Sequence, residues 1–199
     1  MSTRAAARLR GLAPVVAPDA RVLILGSFPS EASLAAKQYY AHPRNHFWPI
    51  LGAVLDEPLA ELPYAERLER VKAHRLAIWD TIVACERPGS LDASIRNAER
   101  GEVRRVHRVA PGLVAVCFNG QTAARSKPVW REAGYDTLVM PSTSPAYTVP
   151  FAQKLAAWQA LRTFLSSQTA DRREDVSARA YGSMHIVNGS SYASGPSNA

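Results

Sequence analysis

Val22-Leu23-Ile24-Leu25-Gly26-Ser27-Phe28-Pro29-Ser30 is the stretch on which the fold turns. Four apolar residues follow one another without a polar break. A strand with one wet face alternates apolar and polar residues, whereas a continuous run suits a parallel strand covered on both faces. Gly26 then lets the backbone turn sharply and approach a ligand. The segment is not a phosphate-binding P-loop, because GxxxxGK[ST] is missing. Taken alone, it reads first as an ordinary strand-to-helix turn.

Three further runs have the same character: Leu76–Trp79, Leu113–Phe118 and Thr137–Met140. Helical patterns lie between them. His46–Leu55 is short and apolar, Tyr64–His74 places Leu68 and Val71 at i, i+3, and Gly101–Val109 is basic. Gln121–Gly134 is helical in part, with a break expected at Pro128. Phe151–Leu165 sets Leu155, Trp158, Leu161 and Leu165 on one stripe. Strands alternating with helices imply an α/β protein, a three-layer α/β/α sandwich around a central, mainly parallel four-stranded sheet.

The 199 residues suffice for one domain, expected over residues 1–166, followed by a tail over 167–199. Three arginines and three acids cancel in 167–199, so the net charge of +7 belongs to 1–166. The tail ends in a Ser-, Gly- and Asn-rich stretch and is expected to be flexible. A basic balance favours polyanionic partners, though weakly by itself. Cys85 and Cys117 sit in apolar runs and read as buried, reduced thiols. Two thiols cannot supply the four ligands of a usual iron–sulfur cluster. The five histidines show no metal-ligand spacing, so neither metal nor cofactor is expected. No apolar run approaches the roughly 18 residues of a membrane span, and the basic start lacks a hydrophobic leader segment. The expectation is a soluble cytoplasmic protein, nucleoid-associated if bacterial.

Ligands of an open parallel sheet sit at the carboxyl ends of its strands. Three runs end there in conspicuous loops: Gly26–Ser30, Asn119-Gly120-Gln121 and Pro141-Ser142-Thr143-Ser144-Pro145-Ala146. Small residues, amides and short polar side chains suit an anionic or strongly hydrogen-bonding ligand. Pro141–Ala146 could grip a phosphate with outward hydroxyls, or be a plain surface turn. Between the first loop and the next helix runs Gln38-Tyr39-Tyr40-Ala41-His42-Pro43-Arg44-Asn45-His46-Phe47-Trp48. An exposed aromatic there could stack on a base, Arg44 could meet a phosphate, and Asn45 could orient a water. Equally, Asn45 could be only a helix N-cap and the tyrosines peripheral core. Glu31 is the only carboxylate near these three loops, so paired-carboxylate catalysis is not expected.

Together, in this order and spacing, these motifs resemble the uracil-DNA glycosylase superfamily. The GxxP loop after the first strand, Ala41-His42-Pro43-Arg44-Asn45-His46-Phe47-Trp48, Phe118-Asn119-Gly120 and Ser142-Thr143-Ser144-Pro145 carry the resemblance. Gly26–Ser30, with Gln38-Tyr39-Tyr40 and Leu91-Asp92-Ala93-Ser94-Ile95-Arg96-Asn97, is most similar to the hypoxanthine-DNA (deoxyinosine) glycosylase family. The likeness spans about residues 20–165.

The resemblance implies hydrolysis of the N-glycosidic bond of a deaminated base in DNA, during base excision repair, by a monomer without cofactor. The superfamily's water-activating Asp or Asn position holds Phe28 here, and the fast uracil enzymes' His position holds Ser or Thr. Asn45 fits the place of the hypoxanthine family's Asn and is the expected catalytic residue. Ser27 and Phe28 (through their amides), Tyr40 (by stacking) and Asn119 are the expected base contacts. His42, Arg44, Ser142, Thr143, Ser144 and Tyr147 are the expected DNA contacts. With no lysine evident in the loops, a monofunctional enzyme is expected. The alternatives are a uracil- or xanthine-directed relative, a catalytically weak lesion binder, or a small-molecule hydrolase acting through Ser27 or Ser144.

Overall fold

A computed structural model describes residues 8–166; the expected tail lies outside them. The strands are β1 (Arg8–Arg10), β2 (Val22–Gly26), β3 (Leu76–Asp80), β4 (Ile82–Glu86), β5 (Arg96–Arg100), β6 (Ala115–Asn119) and β7 (Asp136–Met140). The helices are α1 (Glu31–Ala36), α2 (Phe47–Leu55), α3 (Tyr64–Ala73), α4 (Val103–Val109), α5 (Gln121–Ala124), α6 (Lys127–Glu132), α7 (Phe151–Trp158) and α8 (Arg162–Ser166).

The four apolar runs form one sheet in the order β3-β2-β6-β7, parallel throughout. Their continuity has the expected cause. Val22, Ile24, Leu76, Ile78, Ala115 and Cys117 pack on one face against α2, Val71, Trp158 and Leu161. Leu23, Leu25, Ala77, Trp79, Val116 and Phe118 pack on the other against Val106, Ala123 and Trp130. Period-2 alternation therefore sends successive apolar residues to opposite, equally dry layers. The winding direction reverses between β2 and β6, which places the switch point beside Gly26.

Two helical expectations need correction. The chain breaks between α5 and α6, at residues 125–126, and not at Pro128. Pro128 lies in the first turn of α6, where a missing N–H costs nothing because that N–H would have no partner. The last helix is interrupted by a 3₁₀ turn at Gln159–Leu161, although its apolar stripe faces the core as expected.

A second sheet, in the order β1-β4-β5 and antiparallel, was not foreseen. Thr81 alone separates β3 from β4, so the chain leaves one sheet and enters the other within a residue. Both cysteines are free and buried, and burial pushes the Cys117 thiol up to about 12. No helix among the described residues is long and apolar enough to cross a membrane.

Candidate active site

The carboxyl ends of β2, β3, β6 and β7 open on one cleft of about 510 Å³, inside the usual range of about 300–1,000 Å³ for ligand pockets. Its floor is built around Gly26, which pairs in register with Asp80. A Cβ on Gly26 would overlap Asp80 Oδ1 and stand 3.1 Å from Tyr40 Oη. Only glycine leaves room for those two side chains to converge.

Ser27 follows, and its hydroxyl donates to both oxygens of Asp92, at 2.8 and 2.7 Å. The Ser27 carbonyl accepts from the Ile82 amide at 3.1 Å, tying the loop to the second sheet. Phe28 turns its ring into a small core with Ile82 and Cys85, under the Arg87 guanidinium at 4.9 Å. Ser30 caps α1 by accepting from the Ser33 amide, and the Ser33 hydroxyl accepts from the Ala41 amide at 3.2 Å. That bond holds the next segment against the loop.

Tyr40 has a left-handed backbone, φ 55°, a conformation that costs a bulky residue of order 1–3 kcal/mol and persists only when surrounding contacts enforce it. Here its ring stacks on Phe47 with centroids 3.7 Å apart and planes 14° apart. Its neighbour is held by Trp48 Nε1, which donates to the Tyr39 carbonyl at 3.1 Å. The Tyr40 hydroxyl is enclosed and has no hydrogen-bond partner. Burial first, then the Asp80 carboxyl, pushes its pKa far up, although the nearby Asn119 amide works the other way.

Asn45 borders the cleft just before α2. Its Oδ1 accepts from the Phe47 amide at 3.0 Å. The helix begins at Phe47, one residue later than expected, and His46 occupies the cap position without a side-chain bond. The capping bond fixes which end of the Asn45 amide is oxygen, and leaves Nδ2 and one oxygen lone pair for the cleft.

Asn119 ends β6 and reaches across to the loop after β7. Its Oδ1 accepts from the Thr143 amide and its Nδ2 donates to Thr143 Oγ1, both at 2.9 Å. Gly120 makes this close approach possible. Its φ is 95°, and a Cβ there would stand 2.9 Å from Ser142 Cβ. From the other side, Lys154 on α7 donates to the carbonyls of Ser144 and Tyr147, at 3.2 and 2.6 Å. Trp158 Nε1 holds the Pro141 carbonyl at 3.0 Å. The loop is therefore clamped from both ends.

The family model described as the uracil DNA glycosylase superfamily matches residues 13–162. The chain belongs to that superfamily. Two relatives are named hypoxanthine DNA glycosylase. One, from Methanosarcina barkeri, is 34% identical over 149 residues, covering 75% of this chain and 94% of the relative. The other, from Methanosarcina acetivorans, is 35% identical over 152 residues, covering 76% and 96%. A solution NMR structure from Methanosarcina acetivorans, described as a candidate uracil DNA glycosylase, superposes with TM-score 0.69 at 33% identity, over 78% of this chain and 99% of that one. The α/β sandwich is thus the superfamily's fold, and the chain is a DNA glycosylase by membership.

In this superfamily member the cleft brings together Ser27, Phe28, Tyr40, Asn45, Asn119, Ser142, Thr143, Ser144 and Tyr147. His42 and Arg44 do not line it; they sit on the bend before α2, with the Arg44 amide donating to His42 Nδ1 at 3.1 Å. Thr143 does not point outward as expected. It is fully buried, and its hydroxyl and amide serve Asn119. Ser142 and Ser144 accept from the Ser144 and Ala146 amides, which shapes the loop from within.

Two carboxylates that were not among the expected site residues also line the cleft, Asp80 and Asp92, the second of them within the Leu91–Asn97 segment that carries the resemblance. Asp80 stands at the end of the one strand whose exit loop was passed over. It is 4% exposed, and its Oδ2 has no hydrogen-bond partner. Burial, then repulsion from Asp92, raises its pKa to about 8, against a smaller pull from Arg87. Burial thus favours the neutral form of the carboxyl. Among the described residues, no group of His, Cys, Asp and Glu is arranged to hold a metal ion.

Proposed function

We propose that this glycosylase hydrolyses the N-glycosidic bond of deaminated bases in DNA, hypoxanthine before uracil or xanthine, and acts in base excision repair. The observation that supports this reading is the convergence of Asn45, Tyr40 and the Asn119 strand end on one cleft at the switch point. The named relatives act, by their names, on hypoxanthine in DNA.

The base must leave the duplex stack to enter such a cleft, which is least costly when it is mispaired. Tyr40, already backed by Phe47, offers its ring to the flipped purine. Departure of the base leaves positive character on the sugar and negative charge on the base. The amides at Ser27 and Phe28 face that negative charge. Asn45 holds a water toward the sugar. An amide is a weak base, so its contribution is orientation and not proton removal. No lysine among the described residues lines the cleft, and Lys154 is held on backbone carbonyls, which fits a monofunctional enzyme. The phosphate contacts would come from the clamped loop around Ser142, Ser144 and Tyr147.

The test is base release by the wild-type protein from duplexes containing deoxyinosine, deoxyuridine or deoxyxanthosine, against undamaged controls. Release of hypoxanthine ahead of the others is expected. Faster release of uracil would transfer the enzyme to the uracil-directed branch. Tight lesion binding with no release from any duplex would make it a binding protein.

A further inference from the structure

Asp80 and Tyr40 both present buried polar atoms without partners, and both converge over Gly26 at the floor of the cleft. A buried polar group left unpaired costs on the order of 1–3 kcal/mol, so two side by side indicate a floor completed by what enters it. We propose that the Asp80 carboxyl is a direct contact to the extruded base, donating its O–H to a carbonyl or ring-nitrogen acceptor there. This rests on the glycosylase reading above.

The geometry supports a donor. An ionised carboxylate with an unpaired, enclosed oxygen is far costlier than a neutral one. The counter-charge that faces Asp80, from Arg87, is outweighed by burial and by repulsion from Asp92. Asp92 repels it, and Tyr39 and Tyr40 are buried phenols. Arg87 donates to the Pro29 carbonyl through Nη2 and lies over the Phe28 ring, while its Nε and Nη1 are buried without partners. Deamination replaces an amino donor on the base with a carbonyl acceptor, so a donor on the floor meets the group that the lesion creates.

The chemistry balances without Asp80 losing its proton. The bond from the base nitrogen to C1′ breaks and its electron pair leaves with the base. A bond from the water oxygen to C1′ forms, and the surplus proton of that water passes through solvent to the base. Asp80 keeps its O–H throughout and strengthens its hydrogen bond as charge collects on the base. It is a catalytic residue in that it touches the leaving group.

The experiment compares wild type, Asp80→Asn and Asp80→Ala on a deoxyinosine duplex, with kcat/KM followed from pH 6 to 10. Wild-type kcat/KM should fall about tenfold per pH unit above about pH 8, because only the neutral acid donates. Asp80→Asn keeps a donor that does not ionise, so it should lose much less kcat than Asp80→Ala and lose that basic limb. A limb due to ionisation of the base itself would survive in Asp80→Asn. Asp80→Ala should lose about 10²-fold in kcat, with affinity for an undamaged duplex unchanged. An unaltered basic limb in Asp80→Asn, or undiminished kcat in Asp80→Ala, would overturn the assignment while leaving the glycosylase reading intact. If wild-type protein released no base from any lesion duplex, both would fall together.

Discussion

Asn45→Ala separates two roles that one side chain holds at once. The structural role is the bond from the Phe47 amide to Oδ1, which satisfies the first amide of a nine-residue helix from one residue before its cap position. Loss of a cap of this kind costs about 1 kcal/mol. For a domain of this size that lowers Tm by about 2–4 °C. Native stabilities run at about 5–15 kcal/mol, so the folded fraction at 25 °C would hardly change. The cap alone therefore predicts almost no loss of activity. The proposed role in the cleft predicts a fall of about 10²–10³-fold in kcat, the usual loss when one oriented polar group is removed from a reacting centre. Asn45→Ser is the control, since serine caps nearly as well but is too short to hold the same water. The expected result is Tm restored and activity still low, measured by melting and by single-turnover base release from a deoxyinosine duplex. If the serine variant recovered both together, or if the alanine variant kept full kcat, Asn45 would be a cap and nothing more.

Other expectations follow from the same contacts. Gly120→Ala forces a Cβ into a left-handed backbone and to 2.9 Å from Ser142 Cβ; a loss of about 2–3 kcal/mol is expected in urea unfolding, together with weakened turnover. Thr143→Val keeps the amide bond to Asn119 Oδ1 but leaves Asn119 Nδ2 without its acceptor, which should cost about 1–3 kcal/mol in the same assay. Asp80 has a native pKa above its unfolded value, so its favourable contribution is complete below about pH 4 and is lost as pH rises toward about 8. Stability should therefore fall across that window by at most about 1.4 kcal/mol per pH unit on its account, and Asp80→Asn should flatten the trend in unfolding curves taken at pH 5 and pH 8.

The parallel sheet was legible because its strands are dry on both faces, and a run such as Val22–Leu25 has no other economical explanation. β5 was not legible. Arg-Asn-Ala-Glu-Arg has no apolar residue larger than Ala98 to mark a strand, and all five positions are exposed. It is a strand because β4 offers it an edge, a long-range circumstance invisible to local pattern. The cleft was legible in its loops for a topological reason, since strand ends of one open sheet must meet. Asp80 escaped notice because it follows Trp79 without glycine, proline or any turn signal. A charged residue closing an otherwise apolar strand was the one available hint. Thr143 misled because a hydroxyl in a Pro-bracketed loop normally faces water; here the amide of Asn119 draws it inward. The pairing of Ser27 with Asp92 bridges 65 positions, beyond what spacing could suggest.

The one-residue step at Thr81 gives the cleft two unlike jaws. On one side, Asn119 and the clamped loop after β7 are fastened to the parallel sheet and to α7. On the other, Ser90, Leu91 and Asp92 ride on the connection between β4 and β5, in a sheet whose own core is small and whose last strand faces water. Such a sheet yields before a doubly covered one does. The rigid jaw then sets the alignment of the sugar and base, while the compliant one sets the clearance. A change in the size of the tolerated base would come from residues 87–100, without disturbing the amides and side chains that align the reaction.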